Sequence, residues 1–590
     1  MARPIKGDVR TQRFRRKLAD GTVYVYERQV IYNPKTLRND TLSCHLVGKI
    51  LKGTTEIIPT RFKARSRKER PEQSNTTTGV VASRYHFGMS SLLSWVGRDS
   101  GIDDDLHSAM PEETYGPLAE RIISLARFWV ATGGDTLPNL ETWQLKHGIT
   151  DENALTEDLC RKIFDVIGQD ESIVQHYFML RAAHLNVKGG AVAYDSTTTS
   201  TYSRNQGQAR FGFNKDGDGL PTIKLLSLYS LTGEQPFAFC EQPGNIPDVL
   251  CIKNALKQID YLNGDGPLLV TDNGFYSTAN LVDLVGDHIK FLMRVQPSNG
   301  AWIKKAVMEN LERLDDPEYC MPWDTDTYGF TVTVRPELTS TCRYNTGNHH
   351  KGDKITITPR LYLSIFRNRD RMHEEQSRFD AELFQLKRSL EEEQELTDAA
   401  LNKAARYMEW RRVRGGKIDV SFKKEECLAA KQLCGIYATL SNKTMETAEA
   451  LQLYRRREHI EDMFELFKQK ADGKKPRVWD RERLWGRHLV QFVALSYYDY
   501  LYGKLKKLKA TLGTQTGDKK HDTEANLNAE RSLLRWVNAR SLGEILKWFD
   551  AVEITSLGGN SHPALRIITE QTSRDLMLLD KIDYKGDLNS

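Results

Sequence analysis

The sequence lacks any Cys-x-x-Cys pair and any long apolar run. Its eight cysteines are scattered, so their spacing indicates neither a disulfide framework nor a zinc site. No stretch approaches the roughly 18 apolar residues that a membrane-spanning helix needs, and the first residues contain no apolar signal segment. We therefore expect a protein of a reducing cytoplasm with no membrane partner.

The composition predicts a globular protein with an uneven charge distribution. Hydrophobic residues make up 39% and aromatic residues 9% of the 590 residues, which suits a packed core divided among about two to four domains. Residues 1–70 contain 18 Lys and Arg against six Asp and Glu. This segment carries +12 and the whole chain +5, so the remaining residues sum to −7. A basic segment of this kind is typical of phosphate binding.

The N-terminal 70 residues combine this charge with alternating apolar and polar residues, as in Thr22–Tyr26 and Gln29–Tyr32. The alternation predicts a small β-rich domain, and a solubilising tail is the alternative. Residues 71–186 begin with a polar linker and continue with helical periodicity, but contain no motif that carries chemistry. We expect DNA contacts from five arginines of the basic domain: Arg13, Arg15, Arg16, Arg65 and Arg67.

Two apolar runs after residue 186 end in aspartate. Gly190–Asp195 and Pro267–Asp272 each predict a short strand that places a carboxylate at its polar end. Between and after them the pattern predicts two strands of a hairpin, a helix at Ile246–Tyr261, a helix capped by Ser277 and a further strand. At Asp195 the alternative is an ordinary Asx-turn.

The segment Leu451–Lys470 has no Gly or Pro and is rich in helix-forming residues, which predicts one helix. At about 100° per residue, four polar side chains fall on a strip roughly 60° wide. An apolar strip lies beside it. The alternative is a solvated face with ordinary i,i+4 ion pairs. The polar strip comprises Tyr454, Arg457, Glu461 and Lys468, and the apolar strip Ile460, Met463, Phe464 and Phe467.

The spacing Tyr454-x2-Arg457-x3-Glu461-x6-Lys468 resembles the Tyr-Arg-Glu-Lys signature of DDE transposases from bacterial insertion sequences. Asp195, Asp272 and Glu461 then resemble the Asp-Asp-Glu triad of that group. The similarity covers about residues 185–300 and 434–490. It implies an α/β fold with an RNase H-like catalytic core, a mixed sheet with flanking helices, in which the two strand ends carrying Asp195 and Asp272 lie side by side.

The resemblance also implies a function. Asp195, Asp272 and Glu461 are expected to be catalytic and to bind two Mg²⁺ ions about 4 Å apart, with Mn²⁺ as a substitute. Tyr454, Arg457 and Lys468 are expected to contact DNA phosphates. The implied activity is cleavage at the ends of an insertion sequence and joining of the 3′-OH to target DNA, with hairpin ends. The implied partners are element ends, target DNA and a second copy in a paired-end homodimer. The implied location is the bacterial cytoplasm, associated with the nucleoid.

Asp272 and Glu461 are too far apart in sequence for a simple connection, which predicts a large insert containing strands and a long charged helical segment, Asp370–Arg412, interrupted near Thr397. We expect the last part of the chain to be helical, including Leu533–Val552. The predicted division is 1–70 basic β-rich DNA-binding domain, 71–186 helical region, 187–300 first part of the core, 301–433 insertion domain, 434–505 second part of the core and 506–590 C-terminal helical region.

A second basic patch follows the motif. It contains Lys474 and Lys475, and Trp479 and Trp485 lie within it. Cations with interleaved aromatic residues suit backbone contact and base stacking, and the alternative is an ordinary amphipathic helix surface. For a base displaced during hairpin formation, Trp302 or Trp323 of the insert is a further candidate.

Three other functions compete with a transposase. A transposase-derived DNA-binding protein without catalysis is expected to have a broken triad, and all three carboxylates are present. An RNase H-like nuclease without strand transfer leaves the Tyr-Arg-Glu-Lys spacing without a role. A phosphatase leaves the basic N-terminal segment unexplained.

Overall fold

The chain divides into two compact units in the computed structural model. The first comprises Met1–Val81 with Gly559–His562, and the second comprises Ala82–Gly558 with Pro563–Ser590. The structure describes residues 9–17, 23–33, 38–50, 57–59, 81–149, 154–203, 205–212, 214–246, 266–342, 350–413, 417–470, 478–515, 523–558 and 565–589.

The first unit contains an antiparallel four-stranded sheet in the order β1-β2-β3-β4. The alternation in the sequence predicts strands here, and the described residues form them. Its register places Arg13 opposite Glu27, and Val25 and Val30 are buried. The strands are β1 (Val9–Lys17), β2 (Val23–Asn33), β3 (Arg38–Ile50) and β4 (Ile58–Pro59).

The remaining strands of the described chain form one large sheet and three small ones. They are β5 (Val81–His86), β6 (Ala191–Ser200), β7 (Thr222–Ser230), β8 (Gln235–Pro243), β9 (Leu268–Thr271), β10 (Phe291–Val295), β11 (Cys320–Met321), β12 (Asp324–Val334), β13 (Leu338–Thr341), β14 (Lys354–Ile357), β15 (Leu361–Asn368), β16 (Met408–Arg412), β17 (Ile418–Phe422), β18 (Ile436–Ser441), β19 (Glu553–Gly558) and β20 (Leu565–Thr569).

The described chain also contains α-helices, some of which precede, interrupt or follow these strands. They are α1 (Gly88–Asp99), α2 (Ile102–Ala109), α3 (Glu112–Tyr115), α4 (Leu118–Thr132), α5 (Leu140–Lys146), α6 (Glu157–Gln169), α7 (Glu171–His184), α8 (Thr278–Gly286), α9 (Ala301–Met308), α10 (Arg369–Glu391), α11 (Asp398–Tyr407), α12 (Lys424–Gln432), α13 (Thr447–Arg456), α14 (Glu458–Lys470), α15 (Arg481–Thr511), α16 (Glu524–Asn538), α17 (Leu542–Asp550) and α18 (Ser573–Lys581).

The large sheet has nine strands in the order β11-β12-β15-β18-β10-β9-β6-β7-β8. Strands β6, β9 and β10 are parallel neighbours, and the flanking pairs are antiparallel. The strands around β6 and β9 are almost completely buried, which explains their continuous apolar or β-branched sequences. The expectation that the first and fourth core strands lie side by side is confirmed by the β6–β9 pairing.

The helix predicted at Ile246–Tyr261 lies almost entirely outside the described residues. The helix start predicted at Ser277 is confirmed, because its side chain accepts a hydrogen bond from the Asn280 amide at the beginning of α8. Among the described helices, none combines the length and apolar character required to cross a bilayer.

Part of the insert extends the central sheet, since β12 and β15 continue it beyond β18. The later part of the insert, α10, α11, the β16–β17 pair and α12, forms a small subdomain. The predicted helical segment Asp370–Arg412 is wrong at its end. Residues 408–412 form β16, which pairs with β17 and packs on a core separate from that of the large sheet. That core contains Leu383, Leu390, Ala404, Tyr407, Met408 and Val420.

The predicted C-terminal organisation also needs correction. The single helix expected at Leu533–Val552 is two helices, α16 and α17, separated at Ser541, whose side chain caps α17. Strands β19 and β20 follow and form a sheet with β5. These strands are short, and their pairing joins distant parts of the chain, so local periodicity does not reveal them.

The long helix α15 is buried along most of its length and packs behind the sheet. Trp485 packs against Phe239 of β8, with ring centroids 4.8 Å apart. Helices α6 and α15 cross at two glycines. A Cβ atom on Gly168 would overlap the carbonyl of Glu482, and one on Gly486 would overlap the carbonyl of Phe164. The close approach of the two backbones therefore depends on glycine at both positions.

We expect Gly486→Ala to lower the free energy of unfolding by about 1–3 kcal/mol, because the added methyl group overpacks the crossing. Gly503→Ala in the same helix is the matched control. A Cβ atom there meets nothing within 4 Å, so the gain in helix propensity predicts stabilisation by about 0.5–1 kcal/mol. Chemical denaturation followed by circular dichroism measures both. Equal stability of the two variants would contradict the described crossing.

Candidate active site

The sheet places the two predicted aspartates on neighbouring parallel strands. Tyr194 of β6 pairs with Thr271 of β9, and Asp195 and Asp272 are the next residue of each strand path. Since side chains alternate across a sheet, both carboxylates leave the same face at the same level. The strand register therefore brings Asp195 and Asp272 together, although they are far apart in the sequence.

Asp272 lies where the sequence predicts, directly after β9, and precedes a short 3₁₀ turn. The prediction that Asp195 ends its strand is wrong. β6 continues to Ser200, because residues 196–200 pair with Thr222–Leu226 of β7. The extension consists of serine and threonine, so the end of the apolar run does not mark the end of the strand. β-Branched threonine nevertheless fits a buried strand.

The predicted single helix Leu451–Lys470 is broken at Arg457, between α13 and α14. The amide of Arg457 donates to the carbonyl of Tyr454, three residues back, at 3.0 Å. A step of this 3₁₀ type interrupts the regular α-helical hydrogen-bond pattern. Glu461 lies in the first turn of α14, and about half of its side chain is exposed.

Arg457 links the helix to the sheet. One guanidinium nitrogen, Nη1, lies 3.1 Å from Asp195 Oδ2. The other, Nη2, donates to Glu461 Oε1. Only 5% of the Arg457 side chain and 14% of the Asp195 side chain are exposed. The guanidinium therefore lies between two of the three predicted catalytic carboxylates.

Tyr454 makes the equivalent contact with the other aspartate. Its hydroxyl donates to Asp272 Oδ1 at 3.0 Å. Arg294 of β10 donates to the same hydroxyl at 3.4 Å and lies 3.9 Å from Asp272 Oδ1. Asp195 and Asp272 thus each contact a side chain of the segment that also contains Glu461.

Lys468 lies about two turns beyond Glu461 on α14 and contacts a different carboxylate. Its Nζ is 2.9 Å from Asp216 Oδ1, in the loop between β6 and β7. The neighbouring Lys215 folds back over the sheet and donates to the carbonyl of Ser196 at 2.6 Å. This loop is therefore held against both α14 and β6, the strand that carries Asp195.

The environment shifts the proton affinity of the groups in this cluster. Burial raises the pKa of Asp195, and the charges of Arg457 and Lys215 oppose that increase. Burial, followed by the charge of Asp272, raises the pKa of Tyr454, so the phenol stays protonated at neutral pH. Burial alone would lower the pKa of Arg457, but its neighbours outweigh burial and raise it. The guanidinium therefore stays charged.

The donor chemistry of the triad fits a divalent metal, because carboxylate oxygens are the ligands preferred by Mg²⁺ and Mn²⁺. Within the described ranges, however, no three His, Cys, Asp or Glu side chains are arranged as a metal-binding group. The cationic partner of Asp195 and Glu461 is Arg457. The three carboxylates are therefore suitable metal ligands, and two of them contact the guanidinium of Arg457.

The resemblance assigns Tyr454, Arg457 and Lys468 to DNA phosphates. In the structure each contacts an acidic side chain of the protein, and their contacts with DNA stay a prediction. Sequence reasoning missed Arg294 and Lys215. A charged residue inside the otherwise buried strand β10 was a usable signal for Arg294, whereas no local pattern distinguished Lys215.

The other predicted DNA-binding residues have different surroundings. Arg13 lies opposite Glu27 and pairs with it at 2.6 Å, while Arg15 and Arg16 are exposed on β1. Trp485, expected in a stacking surface, is buried against β8. Four predicted residues lie outside the described part of the chain: Arg65, Arg67, Lys474 and Lys475.

Comparison with known proteins identifies the class. The transposase DDE domain family model matches residues 188–495, which is more than half of the chain. The chain therefore belongs to the transposase DDE domain family: it is a transposase, a DNA-cleaving enzyme, and its family generally uses divalent metals. The family implies an RNase H-like core, and the large mixed sheet with many helices that the sequence predicts is confirmed.

The solved structures with similarity to this chain include the cryo-EM structure of the piggyBac transposase synaptic complex with hairpin DNA. The match covers 78% of this chain and 81% of that chain, with 11% sequence identity and a TM-score of 0.32. No curated protein matches the sequence.

We expect Arg457→Gln to destabilise the metal-free protein by about 3 kcal/mol, because it leaves the buried Asp195 carboxylate without its counter-ion. Arg456→Gln is the matched control: this neighbouring arginine is exposed, so its loss changes stability by less than about 0.5 kcal/mol. Adding Asp195→Asn to Arg457→Gln restores part of the loss. Thermal melting in EDTA measures all three, and identical melting of the two single variants would contradict the described ion pair.

Proposed function

We propose that the protein is the transposase of a bacterial insertion sequence. In this proposal it binds the terminal inverted repeats, cleaves at the element ends and joins the 3′-OH to target DNA. The observation that carries the proposal is the meeting of Asp195 and Asp272, on adjacent parallel strands, with the segment that contains Glu461. The full Tyr-Arg-Glu-Lys spacing supports the assignment to the insertion-sequence group.

Asp195, Asp272 and Glu461 would hold the divalent metals of the reaction. Two bound ions supply activation of the attacking hydroxyl and stabilisation of the leaving oxygen. The three carboxylates come from two strands and one helix, so the sheet fixes the first two and the Arg457 contact positions the third. A DNA backbone brought to this site offers Arg457 a planar, bidentate phosphate partner in place of a carboxylate.

Tyr454 and Lys468 would act as positioning groups. Tyr454 holds the Asp272 carboxylate through its hydroxyl, which orients one oxygen and leaves the other available. Lys468 holds the loop between β6 and β7 through Asp216. On DNA binding both groups would contact the phosphates that flank the cut, as the resemblance implies.

We expect Glu461→Gln to abolish cleavage of DNA carrying the flanking element ends in Mg²⁺. The loss should exceed the roughly 100-fold typical of an outer-sphere residue, with end binding retained. Glu465→Gln, one turn further along α14, is the matched control, because it removes the same charge from an exposed position. Gel assays of binding and cleavage measure both. Cleavage by Glu461→Gln at the wild-type rate would exclude Glu461 from the triad.

The same substrates separate transposition from simple nuclease activity. We expect joined products on a target plasmid, and cleaved ends that migrate at twice the single-strand length in a denaturing gel, as hairpins do. Open ends would contradict the hairpin part of the proposal. Cleavage without any joined product would favour the RNase H-like nuclease.

A further inference from the structure

One side of α13 rests on strands of the insert. Thr447, Leu451 and Arg455 are spaced four residues apart, so they lie along the same side of this helix. The hydroxyl of Thr447 lies 2.8 Å from that of Thr331 on β12. Leu451 is fully buried and packs in a small apolar core with Phe366 of β15. This side of α13 is therefore held by the strands with which the insert extends the large sheet.

Arg455 makes an ionic contact on the same side of the helix. Its Nη2 lies 2.5 Å from Asp324 Oδ2, at the start of β12, and donates to the hydroxyl of Thr327 at 3.2 Å. The Asp324 side chain is 20% exposed and the Arg455 side chain 36%. Burial by itself would raise the pKa of Asp324, but hydrogen bonds from Arg455 and Thr327 outweigh burial and lower it. The carboxylate therefore stays ionised at neutral pH, and the pair keeps both charges.

The hydroxyl of Thr327 uses its complete hydrogen-bonding capacity beside this ion pair. It donates to Asp324 Oδ2 at 2.7 Å. It accepts from Arg455 Nη2, and it accepts from Asn368 Nδ2 at 3.0 Å. A hydroxyl offers one proton and two lone pairs, so these three bonds satisfy it. Thr327 is completely buried, which makes a missing bond costly. The threonine therefore orients both members of the ion pair.

Asn368 extends the connection to the insert subdomain. Its side-chain nitrogen binds Thr327, and its side-chain oxygen caps α10 by accepting from the amide of Arg371 at 2.8 Å. Helix α10 is the first element of the subdomain, which has a core of its own. A continuous series of hydrogen bonds thus runs from the start of α10 through Thr327 to Arg455, the residue next to Tyr454.

Helix α13 also carries the contacts of the candidate active site. Tyr454 donates to Asp272 Oδ1. Arg457, directly after the helix, contacts Asp195 and Glu461. Only two residues separate Tyr454 from Arg457, so a displacement of α13 displaces both side chains. A misplacement of about 1 Å at a reacting centre costs on the order of 100-fold in rate. The position of α13 therefore matters for the chemistry.

We propose that Asp324 and Arg455 are positioning residues for the cleavage reaction. The insert holds α13 through this ion pair, and α13 in turn places Tyr454 and Arg457 against the carboxylates of the triad. The proposal rests on the proposed function and deepens it, because it makes the insert part of the catalytic arrangement. Both residues act through α13, without touching DNA or metal.

The first test is single-turnover cleavage of DNA carrying the flanking element ends, in Mg²⁺ and with saturating full-length protein. We expect Asp324→Asn and Arg455→Gln each to lower the rate constant about 10- to 100-fold. The dissociation constant for this DNA should change less than twofold. The double variant should be no slower than the slower single variant, because both substitutions remove the same interaction. Asp324→Glu keeps the charge and should recover part of the rate.

Two variants are matched controls. Arg456→Gln removes an exposed charge from the adjacent position of α13. Asp380→Asn removes one member of a partly exposed ion pair with Lys431, inside the insert subdomain. We expect both controls to cleave at the wild-type rate. An equal loss of rate in the controls would overturn the proposal.

The same assay separates positioning from a merely structural role. Loss of stability alone lowers the amplitude of cleavage, through a smaller folded fraction, and leaves the rate constant and the Mg²⁺ concentration for half-maximal rate unchanged. Positioning predicts full amplitude, a lower rate constant and a raised Mg²⁺ requirement. Wild-type rate constants and Mg²⁺ requirements for both Asp324→Asn and Arg455→Gln would overturn the proposal.

A second test needs neither metal nor cleavage. Amide hydrogen exchange of the protein in EDTA reports local opening of the backbone. We expect Asp324→Asn and Arg455→Gln to accelerate exchange severalfold in peptides from residues 447–461, and Asp380→Asn to leave these peptides unchanged. Wild-type exchange in both ion-pair variants would contradict the proposal. Absent cleavage by the wild type would instead contradict the transposase proposal, so the two failures are distinguishable.

Discussion

The buried guanidinium of Arg457 is the interaction on which the candidate active site depends. It joins Asp195 on β6, in the centre of the sheet, to Glu461 on α14. Strand pairing fixes β6 but not α14, so the contacts of Arg457 set the distance between the two carboxylates. A buried charge pair is tolerated only when its partners are present, and removing one partner costs more than the pair contributes. The contact of Tyr454 with Asp272 adds a second link. The site is thus a set of mutually neutralising groups from two strands, a helix junction and, through Arg294, a third strand.

Local signals predicted much of the core. The apolar runs gave the hairpin strands β7 and β8 and placed Asp272 directly after β9, because each run was bounded by a turn. Two of the errors have a common cause in long-range pairing. β6 continues past Asp195 because β7 lies beside it, and residues 408–412 form a strand because β17 pairs with them. Neither partner is visible in a local window, and threonine or arginine in such a stretch is compatible with several structures.

Sequence spacing predicted which residues belong to the candidate site, but it did not predict their contacts. Helical spacing shows that Tyr454, Arg457, Glu461 and Lys468 share a face, but it does not show what that face meets. The structure turns three of these side chains toward acidic groups of the protein. The structure also contains a break at Arg457 that ideal helix geometry does not include. A signature associated with DNA phosphates therefore also organises the protein's own carboxylates.

The most direct test of this account is affinity cleavage with Fe²⁺ in place of Mg²⁺. Ascorbate and peroxide generate hydroxyl radicals at the bound ion, and these cut the polypeptide next to the metal ligands. For the protein bound to element-end DNA, the account predicts cuts near residues 195, 272 and 461, all suppressed by excess Mg²⁺. Cuts at other positions, or at one of the three alone, would contradict the claim that these carboxylates form a single metal-binding active site.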